Sequence, residues 1–158
     1  MGFVIMKVST DYSLSPMGER VRKKVLIIDD YLGDVTLYKE YLKNSKYYDF
    51  EFEVCDNAKS ALESFSRMDA DCVLLDYRLN DDDGIELMKK FKYRKFLRAP
   101  LIFMTTSPSK DVIDECLDLG ASYFIDKNNL SNETLNKAVY YAINEIYDES
   151  FTDAKSFN

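Results

Sequence analysis

Aliphatic residues fall in short unbroken runs, and between these runs apolar side chains return every three or four positions; this two-period rhythm occurs five times. The first run, Val25-Leu26-Ile27-Ile28, is aliphatic throughout, as a strand covered on both faces must be, and it ends in Asp29-Asp30. Leu32, Val35, Tyr38 and Leu42 then recur at helical spacing until Asn44-Ser45 interrupts them. From Phe50 to Cys55 charged and apolar residues alternate, which predicts a strand nearer the sheet edge. Asp56-Asn57 reads as the cap of a helix that turns Ala58, Ala61, Leu62, Phe65 and Met68 to one side. Val73-Leu74-Leu75 is the third buried run and stops on Asp76. Turn-forming residues from Asn80 to Gly84 follow, and Ile85, Met88 and Phe91 mark the next helix. Pro100 introduces Leu101-Ile102-Phe103-Met104, which ends in Thr105-Thr106-Ser107. Ser107-Pro108 predicts N-cap and first residue of a fourth helix, with Val112, Ile113, Cys116 and Leu117 inward and Gly120 as its stop. Tyr123-Phe124-Ile125 is the fifth strand, ending in Asp126-Lys127. Ser131 then caps a last helix whose inner stripe is Leu135, Ala138, Val139, Ala142 and Ile146.

Five repeats of strand then helix imply an α/β fold: a parallel five-stranded sheet of order 2-1-3-4-5 with helices on both faces. The chain of 158 residues suits one domain, expected over 23–148. Residues 1–22 carry Ser, Thr, Gly and Pro without periodicity and are expected to be a mobile leader, and 149–158 a polar tail.

Composition narrows the chemistry. The absence of histidine excludes a Ser-His-Asp triad, a His-ligated metal and a phosphohistidine of the chain's own. A formal charge of −7 argues against direct nucleic-acid binding, which needs basic surface to release counterions. Apolar runs are too short to span a bilayer, and Met1 to Val8 lack the features of a secretory signal, so no membrane association and a cytoplasmic location are expected. Cys55, Cys72 and Cys116 lack metal-ligand spacing and read as reduced core thiols.

The candidate chemistry lies where the buried runs end. In a parallel sheet all carboxyl ends point one way, which would gather Asp29, Asp30, Asp76, Thr105 and Lys127 on one rim, where open α/β sheets bind ligands. Taken alone, the stretch at Asp76 fits a helix cap or a solvated turn better than a functional site. Together the carboxylates would repel one another unless a cation sat among them, and an oxygen-only donor set selects a hard ion, Mg²⁺. A lysine and a hydroxyl opposite such a site form an anion clamp for a phosphoryl group, with Asp76 as nucleophile.

With these residues in place the chain resembles the receiver domain of two-component response regulators, a CheY-like, flavodoxin-like (βα)5 sandwich, over about Lys23 to Tyr147. The resemblance rests on Val25 to Asp30, on Leu74-Leu75-Asp76 with Asp83-Gly84, on Pro100 to Thr106, on Gly120-Ala121-Ser122 and on Lys127. It implies that Asp76 is the phosphoacceptor, that Asp30, Asp29 through water, and the carbonyl oxygen of Arg78 join it around Mg²⁺, and that Lys127 pairs with the phosphoryl oxygens. It also implies that Thr105 follows them with its hydroxyl, that Phe124 changes rotamer with Thr105, and that the donor is a histidine kinase or histidine phosphotransfer protein. A stand-alone receiver would then signal to a downstream protein by contact, and a homodimer could form through the fourth helix, fifth strand and fifth helix.

The chain departs from the family pattern in several places. Asn128 replaces the usual proline, leaving a cis peptide there open; Asn80 replaces a proline after the acceptor, Thr106 a smaller residue, and Phe124 a tyrosine. Arg78 and Thr106 are expected to crowd the hydrolytic water and lengthen the phosphoryl lifetime. Asp81 and Asp82 read as an exposed acidic turn, and as extra metal ligands only secondarily. Tyr140, Ile143 and Tyr147 read as rings over a core edge or as a partner surface. Two other functions remain: an aspartate-nucleophile phosphatase, weakened because Tyr31 stands where an acid would follow Asp29, and a pseudo-receiver that binds without phosphorylation.

Overall fold

The structure is a computed structural model that describes residues 18–67, 69–94 and 98–146. Most of the expected leader, the polar tail, Met68 and Tyr147 lie outside the described residues. The elements run β1 (Arg22–Ile28), α1 (Leu32–Lys43), β2 (Asp49–Cys55), α2 (Ala58–Phe65), β3 (Cys72–Asp76), α3 (Gly84–Arg94), β4 (Leu101–Thr105), α4 (Lys110–Asp118), β5 (Tyr123–Asp126), a 3-10 turn (Lys127–Asn129) and α5 (Asn132–Ile143). The five strands form one parallel sheet of order β2-β1-β3-β4-β5, as expected from the sequence. β1 opens at Arg22, three residues ahead of the expected run from Val25 to Ile28.

Alternation along the buried strands explains the two layers. Leu26, Ile28, Val73, Leu75, Leu101, Phe103 and Phe124 face α2, α3 and α4. Val25, Ile27, Cys72, Leu74, Ile102, Met104 and Ile125 face α1 and α5. β3 and β4 are buried at every position, which is why their sequences read as unbroken apolar runs. Full burial of one such side chain stabilises the fold by about 1.5–3 kcal/mol. The edge strand β2 is partly exposed, in keeping with its alternating charges. Cys55, Cys72 and Cys116 are free and buried.

Three expectations about the helices need correction. Leu32 is 76% exposed: it begins α1 at the rim of the sheet, beyond the reach of the core that takes Val35, Tyr38 and Leu42. The fourth helix starts at Lys110 with Ser109 as N-cap, its side chain accepting from the Val112 amide, so Ser107 and Pro108 lie outside it. The Ser107 amide instead donates to Thr105 Oγ1 at 3.1 Å, a local turn that delays the helix. α5 stops at Ile143 and leaves Ile146 half-buried past its end. α4 is seated lightly, burying Cys116 alone while Val112, Ile113 and Leu117 stay half-exposed. The expected caps Asn57 and Ser131 are both in place, the latter in a reciprocal capping box with Thr134. Gly120 follows α4 with φ of 108°, the left-handed backbone that ends a helix most readily at glycine.

Candidate functional site

Register determines what meets at the carboxyl edge. Ile28 pairs with Leu75 and Asp76 with Met104, so Asp29 emerges level with Asp76. Thr105 pairs with Asp126, which puts Thr105 one residue and Lys127 two residues further out. Asp29, Asp30 and Asp76 each offer a carboxylate oxygen, and these atoms lie within 4.8 Å of one another. Lys127 reaches back across the edge: its Nζ lies 2.9 Å from Asp76 Oδ1, 3.0 Å from Asp29 Oδ2 and 2.7 Å from Asp34 Oδ2. Thr105 is buried at the tip of β4. Arg78 is exposed and forms an antiparallel bridge with Asp83 across the loop after β3. Phe124 points into the core on the α2–α4 face.

The acids are not equivalent. Asp29 Oδ2 accepts from both Lys127 Nζ and the Tyr38 hydroxyl, at 3.0 Å each, and its Oδ1 accepts from the Tyr31 amide at 2.9 Å. Its oxygens are thus committed to protein donors. Asp30 is half-buried, and among the described residues no hydrogen bond or ion pair engages its carboxylate. Burial, with Asp29 and Asp30 nearby, raises the Asp76 carboxyl to about 6 despite the opposing pull of Lys127. Burial also pushes the Tyr38 hydroxyl far above its ordinary value, so it serves as a donor. Burial works against the charge on Lys127, but Tyr38, Asp34 and Asp29 outweigh it and hold the ammonium protonated. The all-oxygen donor set of Asp29, Asp30 and Asp76 fits a hard cation, which would offset the remaining repulsion.

The acidic turn after Asp76 has structural work. Asp81 accepts from the Ala58 and Lys59 amides at 2.8 and 3.2 Å, capping α2 from across the edge. Asp82 pairs with Lys90, and Asp83 caps α3 through the Glu86 amide at 2.8 Å. These contacts favour the reading of Asp81 and Asp82 as turn acids. Gly84 is required by proximity: a Cβ there would lie 2.7 Å from the Asp76 carbonyl oxygen and 3.0 Å from the Phe103 ring. Gly84→Ala is therefore expected to lower stability by about 1–3 kcal/mol, read by urea unfolding. An unchanged midpoint would show that the loop relaxes freely.

A family model described as the response regulator receiver domain matches residues 25–140. The chain belongs to this family. Among curated relatives of the receiver, it is 33% identical over 101 residues to sporulation initiation phosphotransferase F of Bacillus subtilis, covering 64% of this chain and 78% of that protein. It is 31% identical over 123 residues to two-component response regulator ARR3 of Arabidopsis thaliana, covering 72% of this chain and 53% of that protein. For regulatory protein LuxO of Vibrio cholerae the match covers 64% of this chain and 21% of that protein, so the chain spans only part of several relatives. Among solved structures, a CheY-like receiver protein from Methanospirillum hungatei aligns with TM-score 0.66 and 25% identity, covering 78% and 94% of the two chains. The Mn(2+)-bound form of response regulator Rcp1 aligns with TM-score 0.63 and 25% identity, covering 74% and 88%. The flavodoxin-like, CheY-like fold expected from the sequence is thus the fold of this receiver, and receivers of two-component systems are signalling phosphoacceptors.

The receiver's sequence brought five of its expected rim residues to one edge, and it left two participants unread. Asp34 was not singled out, because an acid in a first turn is favourable at any helix N-terminus. Tyr38 looked like core, and it is buried, but its hydroxyl reaches Asp29. The signal for Asp34 was its place in the first turn of α1, directly after the acidic tip of β1. Among the described residues no cis peptide bond occurs, which answers the question left at Asn128. Its side chain donates to the Thr106 carbonyl at 2.8 Å, joining the tips of β4 and β5. Tyr140 stacks on Tyr47 at 4.2 Å between ring centroids, so that ring closes a core edge. Among the described residues no helix is long and apolar enough to cross a membrane.

Proposed function

We propose that Asp76 accepts a phosphoryl group from the phosphohistidine of a histidine kinase or histidine phosphotransfer protein, and that the domain signals by protein contact. The observation that carries this reading is the Lys127 ammonium 2.9 Å from Asp76 Oδ1, with Asp29 and Asp30 clustered beside it. An Asp76 oxygen attacks phosphorus and forms the new O–P bond, while the bond to the donor breaks and the leaving group keeps the electron pair. Lys127 meets the charge of the phosphoryl oxygens, and Thr105, at the end of β4, supplies a hydroxyl toward them. Asp30 and Asp76, with the carbonyl of Arg78, are the residues to hold Mg²⁺ directly, whereas Asp29, already committed to Lys127, Tyr38 and Tyr31, acts through water. When bound, Mg²⁺ supplies positive charge that offsets the carboxylates and the phosphoryl oxygens.

Added charge at the rim then shifts a two-state surface, for which the lightly seated α4 and the adjoining β5 and α5 are the natural output, toward a downstream protein or a second copy. A cytoplasmic location accords with this chemistry. The alternatives gain little support: Asp29 is tied by three donors, which disfavours it as a phosphatase nucleophile, and the intact Asp30, Asp76, Thr105 and Lys127 disfavour a pseudo-receiver.

Incubation with Mg²⁺ and acetyl phosphate, followed by intact mass, tests the proposal. One phosphoryl group, stable to acid and labile to base, is expected on the wild type and none on Asp76→Asn. No adduct on the wild type would overturn it, and sustained phosphomonoester turnover would favour the phosphatase. Arg78 and Thr106 both lie exposed beside the site. Loss of phosphate from the Arg78→Ala, Thr106→Ala pair is expected to be several-fold faster, and an unchanged rate would refute their crowding role.

A further inference from the structure

An ammonium has three N–H donors, and three carboxylates surround that of Lys127: Asp34 at 2.7 Å and Asp29 at 3.0 Å accept hydrogen bonds from it, and Asp76 lies in ion-pair contact at 2.9 Å. The shortest of these contacts belongs to the acid that contributes least to the edge of the sheet. Asp34 stands on the first turn of α1, and its side chain is 29% exposed, against 0% for Asp29. We propose that Asp34 is a positioning residue that competes with the phosphoryl group for Lys127 and is released from it when Asp76 is phosphorylated. The inference rests on the phosphoacceptor reading of Asp76 and adds to it a resident competitor and a link to α1.

The competition follows from charge and solvation. A carboxylate at Asp76 carries one negative charge, but once it bears a phosphoryl group the same pocket carries nearly two. The new oxygens extend beyond the carboxylate and need the same ammonium that Asp34 holds. Asp29, Asp34 and the phosphoryl group then crowd one ammonium, and the partner that leaves is the one with the smallest desolvation cost. Asp29 cannot leave without stranding a fully buried charge, and its Oδ2 is further fixed by the Tyr38 hydroxyl. Asp34 has water at hand and can turn to it. Its departure frees the first turn of α1, which carries the exposed side chains of Tyr31 and Leu32 at its entrance. Phosphorylation is thereby felt on the α1 side of the sheet as well as at α4.

The test uses the whole chain with Mg²⁺ and beryllium fluoride, a phosphoryl mimic, in the wild type, Asp34→Asn and Asp34→Glu. Titration calorimetry should give an affinity roughly three- to tenfold tighter for Asp34→Asn, the scale of one partly solvated charge pair, and near wild type for Asp34→Glu. With acetyl phosphate as donor the gain should fall on KM more than on the maximal rate. In wild-type amide spectra, beryllium fluoride should shift the signals of Gly33, Asp34 and Val35, and in Asp34→Asn those shifts should shrink. Equal or weaker affinity for Asp34→Asn, or the same gain for Asp34→Glu, would overturn the inference while leaving Asp76 as acceptor. A wild type that takes up neither beryllium fluoride nor phosphate would overturn both.

Discussion

Replacing Lys127 by alanine is expected to destabilise the metal-free protein by about 3–5 kcal/mol, the cost of leaving buried charge without its partner. Among the described residues Lys127 is the one cation in contact with Asp29, Asp34 and Asp76, and its side chain is only 7% exposed. Without it, Asp29 keeps the Tyr38 hydroxyl and the Tyr31 amide but loses its counter-charge. Because the penalty is electrostatic, adding Mg²⁺ should restore a good part of the lost stability. Urea unfolding of wild type and Lys127→Ala, each with and without Mg²⁺, provides the check. Equal midpoints without the ion would mean that the acids are already relieved by solvent.

The second large effect concerns pH. The Asp76 carboxyl is raised to about 6 in the folded protein, chiefly by burial, from an unfolded value near 3.8. Between those values the folded state holds a proton that the unfolded state has released. The resulting stabilisation is complete below the unfolded value and is lost as pH rises through the folded one. In the metal-free protein Asp76 should therefore cost about 2–2.5 kcal/mol between pH 4 and pH 7, most of the full shift at 1.36 kcal/mol per unit. Asp76→Asn lacks this titration, so it should be more stable than wild type at pH 7 and similar to it at pH 4. Unfolding curves across that range decide the matter, and a variant less stable than wild type at pH 7 would contradict the repulsion inferred at the site.

The same residues explain what the sequence made legible. β3 and β4 are buried on both faces, so their unbroken apolar runs gave strand, direction and tip at once, and Asp76 and Thr105 stand at those tips. Edge chemistry was readable because a parallel sheet sends every tip one way. The side-chain partners chosen across the edge were not. Asp34 and Lys127 are 93 positions apart, and no local period connects them. Likewise the hydroxyl of Tyr38 is hidden within a helical apolar stripe that its ring satisfies fully. The start of α4 was misplaced because Ser107-Pro108 and Ser109 offer competing caps, and the Thr105 hydroxyl settles the choice by holding the Ser107 amide.

The shallow seat of α4 sets the scale of signal it can answer. One buried thiol and three half-covered aliphatic side chains secure it with only a few kcal/mol. Turning a two-state population from one part in a hundred to ninety-nine takes about 5.5 kcal/mol. If Asp76 is phosphorylated as proposed, a helix anchored so weakly is the element most open to a shift, whereas α5 buries five residues and is held more firmly.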